Sequence, residues 1–205
     1  MPGRAGGRSG GAAGAPARPL WQEAVSFALR RHAHQKRRDG RTPYAAHVVR
    51  VAFTVAEVFG CHDETVLAAA LLHDTIEDTT TDYDDVAERF GTDVADLVAA
   101  LTKDMTLPEA PREQAYDRRL ARSDWRARLI KLADAYDNLA DSENDPRQAE
   151  HLAKRLEACD RAIALAVADR DPCSRRAVEA VAALRRSFAT RLKPRARRAN
   201  SRRTK

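Results

Sequence analysis

At 205 residues the chain is long enough for one domain with its own core. Hydrophobic residues make up 43% but aromatics only 5%, and Ala, Leu and Val are abundant, which favours packed helices over sheets and predicts an all-α fold. The formal charge of +6 belongs to the ends: residues 1–18 carry three Arg and residues 185–205 ten Lys or Arg, with no acid in either, while the stretch between holds 23 basic against 30 acidic residues. An acidic body suits a cation site better than a nucleic-acid groove.

Residues 1–18 are dominated by Gly, Ala, Pro and Arg and cannot bury enough apolar area to offset the entropy of ordering, so a disordered tail is expected. No apolar run follows its arginines, which excludes a secretory signal, and no run anywhere is long enough to span a bilayer. Trp21, Ala24, Val25, Ala28 and Leu29 recur at helical spacing. They predict a first helix that ends in the basic stretch Lys36–Arg38 and the turn Asp39-Gly40. A second helix is predicted from about Tyr44 to Phe59, stopped by Gly60. Asp63 can cap a third, which runs through Val66–Leu72 to about Asp78 before Thr79–Thr81 breaks it. Helices near 83–90 and 92–102 are split by Gly91, and others near 112–121 and 124–140 follow a Pro-containing loop at 108–111. Pro146 opens a long helix to about Asp169, and a last one covers roughly 173–192. Residues 194–205, PRARRANSRRTK, are a basic tail expected to be disordered, which leaves a single domain over residues 19–193. Cys61, Cys159 and Cys173 are odd in number and form no CxxC pair, so reduced thiols in a cytoplasmic protein are expected.

The segment Leu71-Leu72-His73-Asp74-Thr75-Ile76-Glu77-Asp78 is the most informative. The residues before it are apolar all round, so the helix should be buried. On an unbroken helix His73 lies above Glu77, and Asp74 lies above Asp78. Three like charges on one semi-buried turn repel unless a cation sits among them, and a divalent ion is the simplest answer. His73 and Asp74, about 100° apart around the helix, can share one ion. A stable site needs further ligands. Candidates are Asp134, delivered by the apolar stretch Leu129–Ala133, and His47, just after the turn Thr42-Pro43-Tyr44. Taken alone, His47 is an ordinary core or surface histidine and Asp134 a helix-surface charge. A second His-Asp pair, His62-Asp63, stands at a helix start, where capping explains Asp63 without a metal. Lys36-Arg37-Arg38 alone reads as a solvated helix end favoured by the helix dipole.

Four segments, in order, resemble the hydrolase domain of the RelA/SpoT family, most closely its stand-alone small alarmone hydrolases of the HD type. They are His32-Ala33-His34-Gln35-Lys36-Arg37-Arg38-Asp39-Gly40-Arg41-Thr42-Pro43-Tyr44-Ala45-Ala46-His47; the unbroken run Ala69–Thr79; Phe90-Gly91 through Leu101-Thr102; and Lys131–Leu139. The resemblance implies an HD-domain bundle of about eight to ten helices. It implies a mononuclear divalent metal, usually manganese, held by His47, His73, Asp74 and Asp134. Glu77 and Asp78 would orient or deprotonate the attacking water. Arg37 would lie against the purine, Arg38 and Lys36 would add positive potential at the pocket mouth, and Asn138 would contact the nucleotide. His32 is not a ligand in the family and reads as packing support. The implied reaction is hydrolysis of the 3′-pyrophosphate of ppGpp or pppGpp to GDP or GTP and pyrophosphate. No room remains after residue 140 for the family's synthetase module, so the chain is expected only to degrade.

The chain also departs from the family pattern. Val48 stands where a Pro commonly follows the ligand histidine, and Ala135 and Asp137 replace bulkier or basic residues. The helix after Pro146 lacks an expected tyrosine and offers Arg147, Lys154 and Arg155. These changes keep other substrates open: a pppApp-type alarmone, with the protein an antitoxin to a toxic synthetase partner, or the 2′-phosphate of NADPH. A non-catalytic nucleotide sensor is disfavoured by the intact Glu77-Asp78. Nucleic-acid binding through the tail and Arg185, Arg186 and Arg191 is the reading with least support. A second copy of the chain is a further partner left open.

Overall fold

The computed structural model describes residues 18–145 and 147–192. The proposed tails, 1–18 and 194–205, and Pro146 lie almost wholly outside the described residues.

Among those residues there are ten α-helices: α1 (Leu20–Arg31), α2 (Ala45–Phe53), α3 (Glu64–Leu72), α4 (Thr75–Asp78), α5 (Tyr83–Phe90), α6 (Thr92–Leu101), α7 (Glu109–Arg122), α8 (Trp125–Ala140), α9 (Gln148–Ala166) and α10 (Pro172–Leu192). The only β-type pairing among them is an isolated antiparallel bridge between Lys36 and Pro43. The fold is all-α, as composition predicts, and none of the described helices is long and apolar enough to cross a membrane.

Helix α8 is the axis of the bundle, packed by α2, α3, α6, α9 and α10. Its Leu129, Ile130, Leu132 and Leu139 are fully buried. Helix α3 lies within the core, with Val66, Ala68, Ala69, Ala70 and Leu72 all inaccessible to solvent. Asp63 caps it, its carboxylate accepting from the Val66 N–H at 2.9 Å. All three cysteines are free thiols.

Three predicted elements need correction. The first helix stops at Arg31 and does not reach Lys36–Arg38. Its apolar spacing ends at Leu29, and beyond it the backbone pairs across a tight loop instead. Arg37 N–H donates to the Thr42 carbonyl at 2.8 Å, and Tyr44 N–H to that of Gln35 at 2.9 Å. The Asp39 carboxylate closes the loop by accepting from the backbone of Arg41 and Thr42. Lys36, Arg37 and Arg38 are therefore loop residues, and no helix dipole acts on them.

The second helix is α-helical only to Phe53 and continues as a π-helical turn, Thr54–Val58. Gly60 ends it with φ of 68°. That positive φ is what requires glycine; a Cβ there would meet only the end of the Arg176 side chain, at 2.8 Å, which can move aside.

The third helix breaks at His73-Asp74 and restarts as the single turn α4. Asp74 sits near the bridge region, at φ −101° and ψ −1°. The break is stabilised by side chains: His73 Nδ1 takes the Ala70 carbonyl at 2.9 Å, and the Thr75 hydroxyl that of Leu72 at 2.7 Å. The polar residues therefore occupy a bend between two helices, not one continuous turn.

Candidate active site

That bend aims His73 and Asp74 at α2 and α8. His47, on α2, points its Nε2 into the same space, 3.5 Å from Asp74 Oδ2 and 3.3 Å from Asp134 Oδ1. His73 Nε2 lies 2.9 Å from Asp74 Oδ2 and 3.9 Å from Asp134 Oδ1. The structure thus brings His47, His73, Asp74 and Asp134 together. Donor atoms about 3 to 3.5 Å apart are what bonds of about 2.1 Å to a common ion require. One donor atom each from His47, His73 and Asp134 fall within 4.8 Å of one another.

The donor chemistry fits a divalent cation. His73 Nδ1 is committed to a carbonyl, which can only accept, so a proton stays there and Nε2 is the nitrogen left to offer a lone pair to a cation. That Nε2 is buried and makes no hydrogen bond, because its approach to Asp74 lacks the angle for one. An orphaned buried nitrogen among carboxylates is the mark of a missing cation.

The cation-free electrostatics agree. Burial alone would strip His47 of its proton, but Asp134, Asp137 and Asp74 outweigh it and hold the pKa at about 10. Burial would push Asp74 and Asp134 up, yet each is held well below the usual carboxylate range, Asp74 chiefly by His73 and Asp134 chiefly by Lys131. The site compensates its acids with protons and with Lys131, whose ammonium donates to Asp134 Oδ2 at 2.7 Å.

Glu77 and Asp78 follow on α4. Glu77 is half-buried, and its carboxylate accepts from the Lys103 N–H at 2.7 Å. Burial outweighs that bond and raises its pKa. Asp78 reaches solvent. Gln35 donates to its carbonyl at 2.7 Å, tying α4 to the basic loop. The Tyr44 hydroxyl donates to Asp74 Oδ2 at 2.6 Å.

The basic loop forms the adjoining wall. Arg37 is only 9% exposed; it donates to Asn138 Oδ1 at 2.8 Å and pairs with Asp141 at 3.0 Å. Its guanidinium lies 5.5 Å from the Tyr44 ring centroid. Asn138 in turn donates to Asp134 Oδ1. Arg38 reaches out to His151 on α9 at 3.5 Å. His32 is buried against Tyr44, its Nδ1 2.7 Å from Gln35 Oε1.

Four contributors escaped the sequence reading: Tyr44, Arg50, Lys131 and Asp137. Lys131 and Asp137 flank Asp134 at i−3 and i+3, and that spacing on an apolar helix was the available signal.

The description HD domain matches residues 24–170, more than half of the chain and all of this site. The chain belongs to the HD-domain family. It is 44% identical over 123 residues to the guanosine-3′,5′-bis(diphosphate) 3′-pyrophosphohydrolase MESH1 of Drosophila melanogaster, covering 59% of this chain and 68% of that one. The Homo sapiens protein of the same name is 44% identical over 120 residues, 58% and 67% of the respective chains. The solved structure of a metazoan ortholog of SpoT, described as hydrolysing ppGpp, superposes with a TM-score of 0.71 at 31% identity. It covers 82% of this chain and 97% of that one.

Proposed function

We propose that this HD-domain protein is a metal-dependent hydrolase of guanosine alarmones, converting ppGpp or pppGpp to GDP or GTP and pyrophosphate. The observation that carries this reading is the convergence of two imidazoles and two carboxylates beside a part-buried Arg37–Asn138 pair. Similarity to proteins named for this reaction supports it.

His47, His73, Asp74 and Asp134 would hold the metal. Mixed nitrogen and oxygen ligation suits Mn²⁺, Fe²⁺ or Zn²⁺, and of these Mn²⁺ is the ion the family resemblance implies. Such a cation, when bound, polarises a phosphoryl oxygen and acidifies water. Glu77, half-buried with a raised pKa, is suited to take a proton from the attacking water. Asp78 would orient that water. Attack at the phosphorus joined to the 3′-oxygen breaks that P–O bond; the 3′-oxygen leaves and is protonated, giving GDP and pyrophosphate. Arg37 has a planar, charged face for the purine and retains its polar edge for Asn138. Arg38, on the outer side of the loop, would face the phosphates. Free thiols fit a cytoplasmic setting, where alarmone breakdown would serve the stringent response.

The test is incubation of chelator-stripped protein with ppGpp, pppApp and NADPH, each with and without Mn²⁺, with products resolved by anion exchange. Metal-dependent release of GDP and pyrophosphate is expected. Turnover of pppApp or NADPH alone would move the substrate and keep the site. Nucleotide binding without product from any of the three would make the protein a sensor.

A further inference from the structure

His47 is held from both sides by one helix. Asp134 and Asp137, three residues apart on α8, each face one of its ring nitrogens. Asp134 Oδ1 lies 3.3 Å from Nε2, and Asp137 Oδ2 lies 2.7 Å from Nδ1. We propose that Asp137 is a positioning residue for the metal centre, fixing His47 with its proton on Nδ1 so that the Nε2 lone pair faces Asp74, Asp134 and the ion between them. The proposal rests on the metal site above, but not on the identity of the nucleotide.

Asp137 is only 4% exposed, so its charge has lost most of its hydration and needs partners. It has three: His47 and Arg50, both from α2 and three residues apart, with Arg50 approaching both carboxylate oxygens, and the Arg37 guanidinium at 4.0 Å from Oδ2. Arg50 is 39% exposed, and Arg37 stands at ion-pair distance without a hydrogen bond to this carboxylate, so neither gives Asp137 a short bond closed off from solvent. The bond to His47 lies wholly inside the protein.

A comparison with His73 shows what the carboxylate adds. His73 orients itself locally, through the Ala70 carbonyl of its own helix. His47 has no such local acceptor for Nδ1, and its orientation comes from α8. The same helix supplies Asp134, so one rigid element sets the spacing between a nitrogen donor and an oxygen donor. An anionic acceptor also makes the imidazole a stronger donor to a metal than a carbonyl does. Arg50 keeps the carboxylate from rotating away, because its fork engages Oδ1 and Oδ2 together.

The experiment is isothermal titration of chelator-stripped protein with Mn²⁺, comparing wild type, Asp137→Asn and Asp137→Leu. Losing such a partner typically weakens metal binding about 10–100-fold. Asp137→Leu should show a loss of that size. Asp137→Asn keeps an acceptor without the charge and should fall between. Equal Mn²⁺ affinity in wild type and Asp137→Leu would overturn the role of Asp137 and leave the metal site standing. No Mn²⁺ binding by wild type would overturn the metal site itself. Should Asp137→Leu fail to fold, nitrogen-15 NMR of the Zn²⁺-loaded wild type decides. A metallated Nε2 with a slowly exchanging proton on Nδ1 of His47 supports the proposal, and a metallated Nδ1 overturns it.

Discussion

Asn138 accepts a 2.8 Å hydrogen bond from Arg37, 101 residues away in sequence, and so fastens the basic loop to α8 one turn beyond Asp134. The same side chain donates to Asp134, so loop, amide and acid form a continuous chain. Asn138→Ala removes both bonds and leaves the guanidinium held by Asp141 without its tie to Asp134. At saturating Mn²⁺ we expect KM for ppGpp to rise about tenfold, the worth of one charge-assisted bond, with a smaller change in kcat. Steady-state kinetics measure this directly, and an unchanged KM would show that the Arg37–Asn138 bond does not set nucleotide affinity.

Asp74 is the proposed ligand most open to test by charge alone. Asp74→Asn keeps shape and an acceptor for Tyr44, but a neutral amide is a poor ligand for a hard cation. Loss of Mn²⁺-dependent turnover to background is expected, together with weaker Mn²⁺ binding by titration. Full Mn²⁺-dependent activity in this variant would contradict the assignment of the site.

The helices could be read from spacing because apolar periodicity, Gly60, Gly91 and the Asp63 cap all act locally. The bend at His73-Asp74 could not, because no Gly or Pro marks it. It exists because two side chains, His73 and Thr75, satisfy carbonyls that backbone N–H groups would otherwise take. The proposed ligands stood out as polar residues at the ends of apolar runs. Their supports did not: Asp137 resembles any other carboxylate until α2 packs on α8 and brings His47 to it. Likewise Lys36–Arg38 looked like a helix end because the pairing that forms the loop depends on Thr42 and Gln35, residues without periodicity.

The loop carrying Arg37 and Arg38 should be acid-sensitive. The Thr42 hydroxyl and the Arg41 and Thr42 N–H groups hold the Asp39 pKa down at about 2, from an ordinary 3.8. A folded value below the unfolded one means the carboxylate stabilises the loop above pH 3.8 and loses that effect as pH falls towards about 2. The protection of the Arg41 and Thr42 amides, taken by NMR from pH 5 to 2 as exchange relative to the intrinsic rate at each pH, should fall across that window. Asp39→Asn should remove the pH dependence, and identical profiles for the two proteins would show that another group controls the loop.

The far end of α8 depends on a different pair. Arg128 engages Asp169, just beyond α9, through two bonds, with Nε at 2.9 Å from Oδ2, and its NH1 donates to the Ser123 carbonyl at 2.6 Å. The two side chains are 12% and 10% exposed, so removing one leaves the other charged and largely unsolvated. Arg128→Ala should cost about 3 kcal/mol of stability in denaturant unfolding. Replacing both partners at once, Arg128→Met with Asp169→Leu, should cost less than Arg128→Ala alone, because no isolated charge remains. If the double variant is instead the less stable of the two, an isolated Asp169 charge is not what makes Arg128→Ala costly, and the ion-pair account of this end of α8 fails.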